Sequence, residues 1–208
     1  DNMGTIYNCV NSMDINFTTM LGGSLEFSGI CRTNGNSIIN CQNETNMTIE
    51  KSSGDGYISG IVYNNSGDIL GSYNTGSLTL KSTLGSVGIY RVAGIAKENT
   101  GGIYASYNLG NLTNTSTENI QQLAIDGSRM STGIVCENMG RIENCYNAGL
   151  LVGERTEGIV NYNGDIIENC YWQTGKSTSG GGDEEDGIYE MTEEEMKNKT
   201  FIDTLNNN

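Results

Sequence analysis

Thr132-Gly133-Ile134-Val135-Cys136-Glu137-Asn138-Met139-Gly140-Arg141-Ile142-Glu143-Asn144-Cys145-Tyr146-Asn147 is a unit that the chain repeats, with drift, along most of its length. Gly29, Gly60, Gly94 and Gly158 open four more copies. One residue after each glycine stands isoleucine (Ile30, Ile61, Ile95, Ile134, Ile159), and five after it asparagine (Asn34, Asn65, Asn99, Asn138, Asn163). Isoleucine returns nine residues on (Ile38, Ile69, Ile103, Ile142, Ile167). Twelve residues on comes a small thiol or hydroxyl (Cys41, Ser72, Ser106, Cys145, Cys170). A truncated copy opens the chain with Ile6, Asn8, Cys9 and Asn11 in the matching places.

The glycines are 31, 34, 39 and 25 residues apart. Repetition at that period marks a stacked architecture, in which no unit can bury its apolar side alone. Helical periodicity is missing, because glycine or asparagine interrupts each apolar run. The short β-branched runs bounded by Gly, Asn, Asp and Ser read as strands and turns. Each copy holds three of them: Gly-Ile-Val, then Ile-x-Asn-Cys-Tyr, then a run such as Ser77-Leu78-Thr79-Leu80 or Leu150-Leu151-Val152. Three strands in about 25 residues make one turn of a parallel β-helix. The expected fold is therefore all-β: a right-handed, three-sided β-helix of about six coils over residues 1–172. The variable spacing falls after the third strand, where loop closure tolerates insertion.

Stacked about 4.8 Å apart, the asparagines can hydrogen-bond from coil to coil, and asparagine also tolerates left-handed backbone at corners. A second asparagine column lies fourteen residues after each glycine (Asn43, Asn74, Asn108, Asn147, with Asn11 in the first copy). An aromatic column precedes it: Tyr73, Tyr107, Tyr146 and Tyr171, with Gln42 as the exception. All three columns read as structural.

Gly-Ile-Val-x-x-Asn-x-Gly-x-Ile-x-Asn-Cys-Tyr-Asn-x-Gly resembles the GLUG-type repeats of bacterial surface proteins. These occur in large adhesins and in non-catalytic regions of immunoglobulin-A-cleaving surface metallopeptidases. The likeness runs from Met3 to Trp172. It departs at Gln42 and Thr45, which replace the usual Tyr and Gly, and at Trp172, where Asn is expected. The second glycine of Gly-Ile-Val-Gly is missing from every copy. The resemblance implies a β-solenoid at the bacterial cell surface or outside the cell, and no catalytic residue.

The 208 residues include 29 glycines, 27 asparagines and no proline, a composition suited to many tight turns. The 25 acidic residues against 11 basic ones argue against nucleic acid, which needs clustered Lys and Arg. No apolar run is long enough to insert in a membrane. No signal peptide is visible, so the chain reads as a mature ectodomain. Six cysteines in an exported chain invite a disulfide framework. Cys9 with Cys41, and Cys145 with Cys170, nevertheless share one column, where parallel Cβ vectors give a poor bridge torsion. Buried free thiols are expected instead. With no histidine and no Cys-x-x-Cys pair, no zinc site is expected, nor any cofactor.

Met20, Leu21, Leu25 and Phe27 are expected to cover the open end of the first coil. An insertion from Leu84 to Val92 carries Tyr90 and Arg91, and a longer one from Asn114 to Met130 carries Arg129 and is anchored by Ile120, Leu123 and Ile125. Loops on a regular scaffold hold most binding sites, so Tyr90, Arg91 and Arg129 are candidate ligand contacts. Residues 173–208 form the remainder. Gln173 to Gly187 reads as a flexible connector whose Asp183-Glu184-Glu185-Asp186 run lacks the alternation of a calcium loop. Thr192 and Glu195 then make a capping box, and Met191 with Met196 a hydrophobic staple. A helix interrupted near Thr200 follows, with Met196, Phe201, Ile202 and Leu205 packing on the last coil or a following domain.

The function expected is non-enzymatic: adhesion, ligand binding or spacing by a surface solenoid, with a glycan or a host extracellular protein as partner. A polysaccharide lyase or hydrolase would need converging carboxylates. Glu98 stacks on Glu137, and Glu143 on Glu168 with Arg141 nearby, so Glu143 and Glu168 are the weak candidates for that chemistry and for binding. A third reading makes the chain a substrate-presenting part of a larger surface peptidase, since it has no His-Glu-x-x-His motif.

Overall fold

The computed structural model describes residues 1–20, 22–83, 88–116, 128–181 and 186–207. It is a parallel β-solenoid whose successive coils pair strand to strand. The coil opened by Gly60 illustrates the path: Val62–Asn65, Asp68–Leu70, Tyr73–Asn74, Leu78–Ser82 and Tyr90–Ala93, after which Gly94 begins the next. The coils opened by Gly29, Gly60 and Gly94 thus each have five short strands where the sequence pattern suggested three. The Ile-x-Asn-Cys-Tyr run is split in two, and the residues just before Gly60, Gly94 and Gly133 make a strand of their own, whereas Arg155–Asn163 runs unbroken through Gly158.

The split has a local cause. Eleven residues after each glycine the backbone turns left-handed: φ is 51° at Asn40, 55° at Gly71, 47° at Ala105, 55° at Asn144 and 51° at Asn169. Asn8 holds the matching place in the first coil at 53°. Asparagine and glycine enter this region at little cost, which explains why they dominate the column. The asparagines five residues after each glycine, expected to turn this way, do not.

Registry is strict. Ile6 pairs with Ile38, Ile38 with Ile69, Ile69 with Ile103, Ile103 with Ile142, and Ile142 with Ile167. Ile38, Ile69, Ile103 and Ile142 are wholly buried, as are Ile61, Ile95, Ile134 and Ile159. With Val62, Val135 and Val160 they form one core that runs the length of the solenoid. Met47, Ile49, Leu78, Leu80, Leu112 and Tyr90 form a second, parallel core. Each buried isoleucine contributes roughly 2 kcal/mol from the apolar surface it removes from water.

The asparagine ladders exist as hydrogen-bonded chains. Nδ2 of Asn34, Asn65, Asn99 and Asn138 donates to Oδ1 of Asn65, Asn99, Asn138 and Asn163 in turn, at 2.7 to 2.8 Å. Asn2 heads this ladder, donating to Asn34 at 2.7 Å. The second ladder runs Asn11, Asn43, Asn74, Asn108, Asn147. Beside it Tyr73, Tyr107 and Tyr146 stack face to face at 4.6 and 4.8 Å. The Cys and Ser column is buried from Cys41 onward, but Cys9 is exposed, and all six cysteines are free.

The two ends depart from expectation. Met20 is 83% exposed and so covers nothing, Leu25 and Phe27 pack against the second core, and Leu21 lies outside the described residues. At the other end the coils continue past Trp172. Ser179–Gly181 pairs with Arg155–Asn163, and Ile188–Met191 pairs with Cys170–Gln173. The stretch read as a linker therefore builds most of a further coil, and the Leu151 amide donates to the Lys176 carbonyl at 2.8 Å. Of the acidic run only Asp186 is among the described residues.

Two helices close the chain, α1 (Glu193–Met196) and α2 (Lys199–Asn207). Thr192 and Glu195 form the expected capping box. The break comes at Lys197 and Asn198, ahead of Thr200. Phe201 is buried edge-on against Tyr146 and Tyr171, at 6.1 and 5.0 Å between ring centres, so the tail docks on the tyrosine column.

Candidate functional site

A groove follows the corner at which each coil meets the next, and the glycines set its shape. At Gly29, Gly60, Gly94 and Gly133 a Cβ would lie 1.9 to 2.1 Å from the carbonyl oxygen of the next glycine, so these corners stack backbone on backbone. On either side of each glycine a strand sends side chains outward. The residue three before the glycine faces the one three after it. Glu26 meets Arg32 in an ion pair of 2.7 Å, and Tyr57 meets Tyr63 ring edge to face at 5.5 Å. Met130 with Cys136 and Arg155 with Asn161 hold the same positions in later coils. Contact across the corner means that the solenoid is concave there.

Lys97 lies at the centre. Its ammonium is 5.7 Å from the Tyr57 ring centre and 5.8 Å from that of Tyr63. It donates to Glu137 at 2.8 Å and lies 3.4 Å from Glu98. Arg91, from the opposite strand, also binds Glu137. Burial alone would lower the Lys97 pKa, but the hydrogen bond and charge of Glu137 reverse that and raise it. Burial would likewise raise Glu137, and the hydrogen bond from Lys97 with the Arg91 charge brings it below its usual value instead. Tyr63 is pushed up to about 12, first by burial and then by the Glu26 charge. At neutral pH Lys97 and Glu137 therefore form a charged pair beside the neutral Tyr63 ring.

Further along, Arg91, Glu98, Glu137, Met139, Asn161 and Tyr162 line an open pocket of about 450 Å³. Arg91 Nε and the side-chain oxygens of Asn64 and Asn161 have no protein partner, although they are sheltered from bulk solvent. Tyr162 is 55% exposed at the rim. The pocket thus presents the Arg91 and Asn161 side chains and two carboxylates beside the exposed Tyr162 ring.

The residues singled out from the sequence scatter. Arg91 is in the groove, but on a strand in register with its neighbours and not on a loop. Tyr90 and Arg129 are also strand residues and are buried, with the Arg129 guanidinium 5.7 Å from the Tyr90 ring centre. Arg129 is held by Glu154 at 2.6 Å and by Ser82 at 2.9 Å, so these two positions stabilise the interior and cannot reach a ligand. Ile120, Leu123 and Ile125 lie outside the described residues. Glu143 and Glu168 do stack on a different sheet. Arg141 spans both, donating to Glu143 at 2.8 Å and to Glu168 at 2.6 Å.

Tyr57, Tyr63, Lys97 and Tyr162 were missed by sequence reasoning, although a signal existed: they stand three before, or three to four after, a repeat glycine. Among the described residues no three His, Cys, Asp or Glu side chains converge to hold a metal ion, and no helix is long and apolar enough to cross a membrane. No protein-family model, no curated protein and no solved structure matches the chain.

Proposed function

We propose that the chain is a non-enzymatic ligand-binding solenoid of an exported or cell-surface protein, of the kind the GLUG-like repeat suggests, and that the groove along the glycine corner is its binding surface. The observation that carries this reading is Lys97, held between two tyrosine rings and Glu137 at the bottom of a groove that crosses several coils. A rigid aromatic and polar surface of this type suits recognition, because little side-chain freedom remains to be lost on binding. The acidic composition fits a solvated extracellular surface and disfavours nucleic acid. A hydrolytic role for Glu143 and Glu168 is disfavoured by Arg141. An acid–base pair must exchange protons with substrate, and here each carboxylate spends an oxygen on the same guanidinium.

The test is a screen of the purified chain against immobilised glycans and extracellular-matrix proteins, with the Lys97→Ala and Tyr63→Ala variants alongside. Binding that weakens at least tenfold in both variants supports the reading. Binding unchanged in both, or turnover of polysaccharide that Glu143→Gln and Glu168→Gln abolish, overturns it.

A further inference from the structure

From the chemistry lining the groove we infer its ligand class: an uncharged, linear polysaccharide that lies lengthwise, parallel to the solenoid axis. This rests on the groove being the binding surface and adds what it binds and in which direction.

Charge comes first. Each cation in the groove sits against a carboxylate: Arg32 against Glu26, Arg91 and Lys97 against a shared Glu137, and Arg155 against Glu157. Glu98 adds a further carboxylate beside Lys97. A polyanion would meet balanced charge at the groove and a net charge of −14 over the whole chain. Steering of an acidic polymer is therefore unfavourable.

Hydrogen bonding comes second. Polar side chains of both kinds line the pocket: the Arg91 guanidinium and the Asn161 amide can donate, and the Glu98 and Glu137 carboxylates accept. A hydroxyl group both donates and accepts, so one sugar ring can satisfy both kinds within a short distance. The half-buried rings of Tyr57 and Tyr63, and the exposed ring of Tyr162, supply apolar surface for the C–H face of a sugar.

Direction comes third. Paired positions recur on successive coils from Glu26 and Arg32 to Arg155 and Asn161, the Met130 and Cys136 pair among them being buried, over four steps of about 4.8 Å, or roughly 19 Å in all. A linear polymer lying along the axis would cross these steps in turn, whereas one lying across it would meet a single pair. An extended peptide is the weaker fit. Strand addition needs a free sheet edge, and the strands flanking the groove spend their backbone groups on the coils above and below.

The experiment measures binding of the whole chain to neutral cello-, xylo-, malto- and chito-oligosaccharides from dimer to hexamer, and to oligogalacturonates of the same lengths. The expected result is one neutral series whose affinity rises at least tenfold from dimer to hexamer. It should fall at least tenfold in Tyr162→Ala and in Asn161→Ala, with circular dichroism unchanged. Tyr162→Ala removes a ring at the rim, so it tests the groove even if changes deeper in it disturb folding. Preference for oligogalacturonate, affinity independent of length, or binding retained in both variants overturns the inference. Binding to matrix proteins but to no glycan overturns it while leaving the groove as a recognition surface. No binding to either class removes both.

Discussion

A Cβ on Gly94 would lie 2.0 Å from the carbonyl oxygen of Gly133, one coil further on, and 2.6 Å from the Cβ of Asn108. Neither neighbour can retreat, since one is backbone and the other belongs to a ladder. Gly94→Ala is therefore expected to destabilise the fold by about 3 kcal/mol, the upper range for forced overpacking. Gly4, with nothing within 4 Å of its own added Cβ, is the control. Its change to alanine should stay within about 0.5 kcal/mol. Urea unfolding of the two variants measures the contrast, and equal midpoints would refute the stacked corner.

Asn99 carries the centre of the first ladder. It accepts from Asn65 at 2.8 Å and donates to Asn138 at 2.7 Å, with no exposed surface. Asn99→Ala removes both ladder bonds, although Asn65 Nδ2 keeps the Gly67 and Gly102 carbonyls and Asn138 Oδ1 keeps the Gly140 amide, so it should cost roughly 1–3 kcal/mol at about 0.5–1.5 kcal/mol for each lost bond. Asn99→Asp keeps the shape but puts a carboxylate oxygen against the Asn138 oxygen, and its protonated form alone can restore the donor. Its folded pKa should rise, so its loss of stability should grow as pH increases through that value. A pH-independent Asn99→Asp penalty would show that the ladder bonds are not what holds this position.

These two columns also mark what could be read from the sequence and what could not. Repetition at fixed offsets exposes any side chain whose role recurs in every coil, so the isoleucine cores and both asparagine ladders were legible. The left-handed turn was less so: it falls where Asn8, Asn40, Asn144 and Asn169 give way to Gly71 and Ala105, and not at the unbroken asparagine column five residues after each glycine. Tyr90 and Arg129 were misplaced on loops because each follows an insertion, although strand pairing resumes by the time they are reached. The groove was hidden for a different reason. Glu26, Tyr57, Arg91 and Met130 have nothing chemical in common, and only the bend at each glycine brings them opposite Arg32, Tyr63, Lys97 and Cys136.

The Lys97–Glu137 pair should write itself into the pH profile of stability. Glu137 titrates below its ordinary 4.5 in the folded chain, so its contribution is present above that value and is lost as pH falls through the folded pKa. Lys97 titrates above its ordinary 10.5, so its contribution is present below that value and is lost as pH rises through the folded pKa. Compared with the parent, Glu137→Gln should lose less stability on acidification from pH 5 to 3, by a margin of about 1 kcal/mol or less at this half-exposed site. Parallel acid limbs for the two proteins would count against the pairing.

Phe201 is the anchor of the tail. It packs edge-on against Tyr146 and Tyr171, and the pocket beneath α1 and α2 also includes Met196, Ile202 and Leu205. Removing a buried phenylalanine ring costs roughly 3 kcal/mol or more, beyond what a nine-residue helix can make up by itself. Phe201→Ala should therefore release α2 and leave the coils folded. Hydrogen exchange is expected to become fast across residues 199–207 with protection of the ladders unchanged. Global unfolding of the variant would instead make the tail an integral part of the solenoid.

Cys145 shares its column with Ser106, and the two side chains do the same work. The Cys145 thiol donates to the Glu143 carbonyl at 3.3 Å, and the Ser106 hydroxyl donates to the Tyr104 carbonyl at 2.9 Å. Size and a single donor are what the position requires, so Cys145→Ser should cost at most about 1 kcal/mol, within the usual net worth of one hydrogen bond. Cys145→Leu, which overfills the column, should cost about 2 kcal/mol or more. The neighbouring Cys170 thiol is pushed well above its ordinary pKa, chiefly by burial and further by Cys145 beside it. It therefore stays protonated, and since the thiolate is the reactive form, Cys170 should resist oxidation. Dithiothreitol should leave the melting temperature unchanged. A bridge between these two sulfurs would reverse both results: reductant would lower the melting temperature, and Cys145→Ser would cost the roughly 2–4 kcal/mol of a lost cross-link.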